Sequence, residues 1–446
     1  MIKFGTDGVR GIANEELTPE DAFLIGRTVA YILGGENADI LIGKDTRISG
    51  GMLESALVSG ICSVGANAHI AGVIPTPAIA TLVKNKGMNA GIMISASHNP
   101  VEDNGIKIFN SDGYKLPDET ENQIIDLIKN KTELPRPIGK NIGTYYLEDK
   151  DTKNLYTKFL KSTVPDADFT GLKVGIDCAN GATYDVAPEI IKSLGADVYT
   201  IHNNPNGINI NKNCGSTYMD SIVSLVHEKK LDIGIAFDGD GDRCLVVDSL
   251  GNILCGDQIM SIFVNILKNE NKLSKNTLVA TVMSNIGLKQ MGEKNNIEVI
   301  HTNVGDRYVL EKMLECGYNF GGEQSGHFIF LDYSTTGDGI LTALQLLKII
   351  SNQKKPLYEI NKYIKIHPQI TVNAKVLQAN KQNYMKVNSI LDLINSINKK
   401  YKNSGRLMVR PSGTENIVRV TIEGEDIEEI EKDANKIKDI IEKELS

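Results

Sequence analysis

Three times along the chain, short runs rich in Val and Ile end in polar loops, and each set of three runs is followed by a return. The first set is ADILIGKDTR, NAHIAGVIPTP and NAGIMISASHNP, with GIKIFNSDG returning. The second is LKVGIDCANGAT, ADVYTIHNNPNG and LDIGIAFDGDGDR, with CLVVDSLGNIL returning. The third is NTLVATVMSNIG, IEVIHTNVGDRY and NFGGEQSGHFIF. Longer helical patterns separate the runs, which is the arrangement of βαβ units in largely parallel, mixed sheets. In open α/β sheets ligands collect at the carboxyl ends of strands. Three matching loops from three related domains can therefore converge on one cleft.

The remainder reads differently. GRLMVRPSGTENIVRVTIEG suggests two strands around a Gly-containing loop, and EDIEEIEKDANKIKDIIEKEL has the spacing of an amphipathic helix. We expect a fourth, smaller α+β domain, with the hinge into it near KYIKIHPQITVNAKV. The expected boundaries are 1–155, 156–255, 256–366 and 367–446.

A net charge of −8 argues against broad electrostatic binding to nucleic acid or anionic membrane, while leaving room for a local phosphate pocket. MIKFGTDGVRG lacks the layout of a signal peptide, and no apolar run approaches the roughly 20 residues that span a bilayer. A cytoplasmic protein is expected. Cys62, Cys178, Cys214, Cys244, Cys255 and Cys316 form no CxxC pair, so free and mostly buried thiols are expected.

FDGDGDR carries the strongest chemical signal. Asp238, Asp240 and Asp242 lie within five residues, directly after an apolar run. Unit charges about 4 Å apart repel by about 4 kcal/mol at an effective dielectric near 20, so a cation is the natural resolution. All-oxygen ligands fit Mg²⁺ or Mn²⁺. An EF-hand needs Gly at its sixth position and Glu at its twelfth, where this chain has Arg243 and Ser249. Mg²⁺ held by three carboxylates usually completes its shell with phosphate oxygens or water, which implies a phosphate partner.

Ser97, in ISASHNP, is a candidate carrier of that phosphate, since phosphoserine adds about −1.5 to −2 charges and three acceptor oxygens. Alone, this segment reads equally as a polar turn; the aspartate loop at the matching place in the next repeat favours the carrier. In RPSGTENIVR, Arg410 and Arg419 offer forked donors to phosphate, with Ser412, Thr414 and the Gly413 amide as neutral donors. In GGEQSGHF, alternate residues Glu323, Ser325 and His327 would face one side of an extended segment. Their carboxylate and hydroxyl suit sugar hydroxyls. The chain has neither a Walker phosphate loop nor a G-x-S-x-G elbow.

ISASHNP, DGDGDR, GEQSGH and RPSGTE, in that order, resemble the α-D-phosphohexomutase superfamily, and the resemblance extends across essentially the whole chain. FGTDGVRG, TNVGDRYV and HPQITVNAKV look most like its bacterial phosphoglucosamine mutase branch. The resemblance implies a four-domain, heart-shaped protein of three related α/β domains around a central cleft, with a mobile C-terminal domain. It further implies that Ser97 is the phosphorylated serine and that Asp238, Asp240 and Asp242 hold Mg²⁺ together with its phosphate. Arg10, His98, Lys107, Arg243 and His327 would surround the reacting phosphate, with Lys107 moving the hydroxyl proton. Glu323 and Ser325 would hold sugar hydroxyls, and Arg410, Ser412, Gly413, Thr414 and Arg419 the non-reacting phosphate. Asn416 departs from the family's usual proline and implies a less rigid loop exit.

The implied reaction interconverts glucosamine 6-phosphate and glucosamine 1-phosphate through a 1,6-bisphosphate, which also serves as activator, and feeds amino-sugar nucleotide and cell-wall synthesis. A homodimer is implied as well. The competing readings are a phosphomannomutase or phosphoglucomutase, a metal-dependent phosphatase, and a non-catalytic sugar-phosphate sensor.

Overall fold

The computed structural model describes residues 4–5, 8–402, 404–412 and 416–445. They form two compact units: Met1–Met283 with Val299–Lys362, and Ser284–Glu298 with Tyr363–Ser446.

In the first unit the sequence repeat becomes a repeat of sheets. The first has Asp39–Lys44 parallel to both Asn67–Val73 and Ala90–Ile94, and Asp103–Asn110 returns antiparallel to the latter. The second puts Lys173–Asp177 parallel to Asp197–Ile201 and to Ile233–Phe237, with Cys244–Asp248 returning. In the third, Thr277–Thr281 is parallel to Phe320–Gly322, and Phe328–Phe330 returns. The order across each sheet is the same: second run, first run, third run, return. The first sheet is extended at its edges by Phe4–Gly5, Gly8–Ile12 and Tyr145–Leu147.

Helices on both faces explain why the third runs read as unbroken apolar stretches. Every residue of Ala90–Ile94 and of Ile233–Phe237 is buried, as expected of strands covered on two sides. Glycine gives the covering helices their close approach: a Cβ on Gly91 would lie 2.4 Å from Val83 Cγ2 of the helix Thr76–Lys86. The helix Pro19–Leu33 starts at a capping box, in which Thr18 and Asp21 satisfy each other's backbone amides.

The second unit is a three-stranded antiparallel sheet ordered Gln369–Lys375, Ile417–Glu423, Arg406–Pro411. Val418, Val420 and Ile422 bury against Ile430, Ala434, Ile437 and Ile441 of the helix Ile427–Leu445. The stretch expected to carry the hinge thus contains a full strand. Its alternation of Ile370, Val372 and Ala374 was the period-2 signal for it. This unit also includes the helix Ile286–Asn295, tied in where Glu423 accepts from the Ile286 amide at 2.9 Å and from Arg406 at 2.8 Å.

All six cysteines are free; Cys178, Cys214 and Cys244 are buried and the other three half-buried. No helix among the described residues is long and apolar enough to cross a membrane.

Candidate active site

The loop after Ala90–Ile94 holds Ser97 at φ +52°, the left-handed region that non-glycine residues seldom occupy. A buried network maintains it. Ser95 Oγ accepts from the Ser97 amide at 2.9 Å and donates to Asp45 Oδ2 at 2.6 Å. Arg47 then uses all five of its donors. Nε bonds Asp45 at 2.9 Å, Nη2 bonds the carbonyls of Ser97 at 3.0 Å and Asn99 at 2.9 Å, and Nη1 bonds those of Asp103 at 3.0 Å and Pro100. From the second repeat, Asn211 Nδ2 reaches the same Ser97 and Asn99 carbonyls at 2.8 and 3.0 Å.

Asp238, Asp240 and Asp242 follow Ile233–Phe237, all three buried. One oxygen from each lies within 4.8 Å of the others. Ser97 Oγ donates to Asp238 Oδ2 at 2.6 Å, so the serine loop of the first repeat and the aspartate loop of the second meet directly. Their approach is close enough that a Cβ on Gly239 would lie 2.5 Å from the Ser97 carbonyl oxygen. Lys107 Nζ, on Asp103–Asn110, bonds Asp240 Oδ2 at 2.7 Å and Asp242 Oδ2 at 3.5 Å, and Thr76 Oγ1 adds 2.5 Å to Asp240.

Three buried carboxylates oppose one another. Burial, then Asp242 and Asp240, pushes Asp238 well above the usual carboxylate range. Burial acts on Asp242 in the same sense, but Lys107, His327 and Arg243 hold it well below that range. The buried Oδ1 atoms of Asp240 and Asp242 have no hydrogen-bond partner among the described residues. Oxygen-only donors, unmatched negative charge and unsatisfied carboxylate oxygens together fit a hard divalent cation.

A cavity of about 650 Å³ opens beside this junction, lined by Arg10, Ser97, His98, Asp242 and Arg243 from the first two repeats. Glu323, Ser325 and His327 line it from the third. They do so for a different reason than expected: they occupy a tight turn between Phe320–Gly322 and Phe328–Phe330, where the Gly326 amide bonds the Glu323 carbonyl at 3.0 Å. Glu323 Oε1 accepts from the Gly305 amide at 3.1 Å, and burial raises its pKa.

Two histidines bracket the junction in opposite states. His98 Nδ1 lies 3.3 Å from Ser97 Oγ, and burial, then Arg243 and Arg10, lowers its pKa to about 4. Burial opposes charge on His327 too, but the Asp242 carboxylate 3.7 Å from its Nδ1, with nearby Asp306 and Glu323, raises it to about 9. The Gly337 amide nitrogen lies 3.1 Å from His327 Nε2, and Nδ1 faces Asp242 Oδ1 at 3.7 Å.

Arg410, Ser412 and Arg419 belong to the second unit. Arg410 and Arg419 are directly opposed across neighbouring strands. Burial, then Arg419, lowers the Arg410 pKa. Like charges so placed are unfavourable without an anion. The Ser412 amide bonds the Ile417 carbonyl at 2.9 Å, closing the loop. Gly413 and Thr414 lie outside the described residues.

Sequence reasoning overlooked Asp45, Arg47, Thr76 and Asn211. KDTR held the signal for the first two, as a charged cluster directly after a buried strand of the first repeat.

Profiles described as phosphoglucomutase/phosphomannomutase domains I, II, III and C-terminal match residues 1–135, 154–251, 255–365 and 372–440. The chain is 54% identical over 447 residues to a phosphoglucosamine mutase of Caldicellulosiruptor bescii, covering 99% of each chain. To that of Clostridium tetani it is 54% identical over 443 residues, covering 99% and 98%. Its fold is similar to that of a phosphoglucomutase/phosphomannomutase family protein from Burkholderia thailandensis, with a TM-score of 0.81, 22% identity, and coverage of 100% and 99%. It is also similar to Aspergillus fumigatus N-acetylphosphoglucosamine mutase, whose structure holds GlcNAc-6P and magnesium; the TM-score is 0.67 at 18% identity, covering 100% and 96%. Four profiles in chain order and relatives alike along their full length place the repeats, the loops and the α+β unit in one scheme: this chain belongs to the phosphoglucomutase/phosphomannomutase family of α-D-phosphohexomutases.

Proposed function

We propose that the protein is a phosphoglucosamine mutase, interconverting glucosamine 6-phosphate and glucosamine 1-phosphate. The observation that carries this reading is the meeting of Ser97 with Asp238 at 2.6 Å beside a cavity lined from all three repeats. Full-length identity of 54% to enzymes of that name supports the substrate.

In the resting enzyme Ser97 carries a phosphoryl group. Its P–O bond to Oγ breaks as a new one forms to the sugar's free hydroxyl oxygen, giving the 1,6-bisphosphate. The hydroxyl proton leaves and Oγ takes one up, so none is gained or lost. Lys107, buried against Asp240, is assigned the movement of that proton and must first hand on its own. The bisphosphate turns end for end, and its other phosphoryl group returns to Ser97.

The residues of the cavity divide the electrostatic work, which dominates phosphoryl transfer. Arg10 and Arg243 face the transferring group; Glu323 and Ser325 hold ring hydroxyls in either orientation. His98 sits beside Oγ, with Nδ1 at 3.3 Å. Arg410, Ser412 and Arg419, with Gly413 and Thr414, take the phosphate that is not reacting. Asp238, Asp240 and Asp242, with the phosphate on Ser97, would hold Mg²⁺, which when bound neutralises charge on the transferring phosphoryl.

A coupled assay on glucosamine 6-phosphate, primed with a trace of the 1,6-bisphosphate, tests the reading. Glucosamine 1-phosphate should form without release of inorganic phosphate. Phosphate release matching substrate loss, or turnover restricted to glucose or mannose phosphates, would overturn it.

A further inference from the structure

We propose that Asp306 is the residue that selects an amino sugar, by taking the 2-ammonium group of the substrate; this rests on the glucosamine phosphate reading above. Of the carboxylates that line the cavity, Asp242 belongs to the metal loop and Glu323 is assigned to ring hydroxyls, leaving Asp306. Its chemistry suits a cation. Asp306 opens the helix Asp306–Cys316, whose N-terminus favours negative charge. Lys115 Nζ, 2.6 Å from Asp306 Oδ2, and His327 Nε2 at 3.5 Å fix the carboxylate in place.

Its position fits the sugar as well. The 2-amino group is vicinal to the 3-hydroxyl, so its partner must neighbour the residue that holds ring hydroxyls. Gly305, adopting φ +129° in a region open to glycine, aims its amide at Glu323 Oε1 at 3.1 Å, and Asp306 is the next residue. A neutral sugar would offer Asp306 a hydroxyl; an amino sugar offers an ammonium and a stronger, charge-assisted bond. The difference between the two is selectivity for the amine.

The test compares kcat/KM on glucosamine 6-phosphate and glucose 6-phosphate. In Asp306→Asn the wild-type preference for the amino sugar should shrink by roughly tenfold to a hundredfold, the worth of one charge-assisted hydrogen bond. Asp306→Glu, which keeps the charge, should retain more of the preference. An unchanged ratio in Asp306→Asn, or equal losses on both sugars, would overturn the assignment. A wild-type enzyme that does not prefer the amino sugar would instead defeat the substrate reading on which it rests. Where loss of the ion pair with Lys115 prevents Asp306→Asn from folding, Lys115→Gln/Asp306→Asn removes both charges and is read by the same ratio.

Discussion

Arg47 holds Ser97 by its carbonyl, at 3.0 Å, and leaves the hydroxyl to Asp238. The guanidinium fixes the backbone of the loop while the side chain stays directed at the carboxylates. Arg47→Met would leave Asp45 buried without its cation, and losses of roughly 3 to 5 kcal/mol are typical of such a change. Arg47→Lys keeps the charge but not the fork that spans four carbonyls. It should lower kcat by at least about tenfold with a smaller change in KM. A normal kcat in a folded Arg47→Lys enzyme would show that the loop needs no such clamp.

Ser97→Ala removes the proposed phosphate carrier. Intact mass should lose one phosphate, and turnover should fall by more than about a thousandfold, as when a nucleophile is deleted from a concerted site. Near-normal turnover with the phosphate still present would place the modification elsewhere.

Asp240→Asn tests the cation. Mg²⁺ should raise the thermal midpoint of the wild type, because a ligand that binds the folded state stabilises it. That rise, and Mg²⁺ activation, should shrink in the variant. Identical metal responses in the two proteins would remove Asp240 from the metal site.

Arg410→Ala tests the cross-strand arginine pair. KM for the phosphosugar should rise by about tenfold or more, as expected when a charged hydrogen bond to phosphate is lost, with metal activation unaltered. A change confined to the metal response would contradict the assignment.

The second repeat contains a histidine whose effect on stability has a definite sign. The hydrogen bond from His202 Nδ1 to Asp177 Oδ2 at 2.9 Å raises its pKa against the pull of burial. A folded pKa above the unfolded value of about 6.5 gives stability that is complete below that pH and lost as pH rises through the folded value. Nearby Cys214, pushed up to about 12 by burial and Asp177, stays outside that window. The midpoint difference between wild type and His202→Gln should therefore be larger at pH 6 than at pH 9. A larger gap at the alkaline end would reverse the sign.

Local pattern carried much of this molecule. The strands of each sheet were legible as apolar runs with polar ends, because strands covered on both faces are continuously apolar, whereas their order across the sheet came from the structure. The aspartate loop was legible because its charges are adjacent in sequence. What stayed hidden depends on long-range partners: Arg47 is defined by carbonyls about 50 residues away, Asn211 by carbonyls more than 110 away, and Thr76 by Asp240, 164 residues away. Glu323, Ser325 and His327 were grouped by an extended-chain argument, whereas a turn brings them to the cavity. The strand Gln369–Lys375 was obscured by its half-exposed, mixed composition next to a proline.

The contact between Gly239 and the Ser97 carbonyl links the histories of two repeats. A Cβ at residue 239 would lie 2.5 Å from that oxygen, so any side chain there forces one of the two loops to yield. Three sheets of the same order suggest modules that could be exchanged freely, yet these two cannot be. A chimera that imports a second repeat with any residue other than glycine at position 239 will have to import a matching serine loop with it.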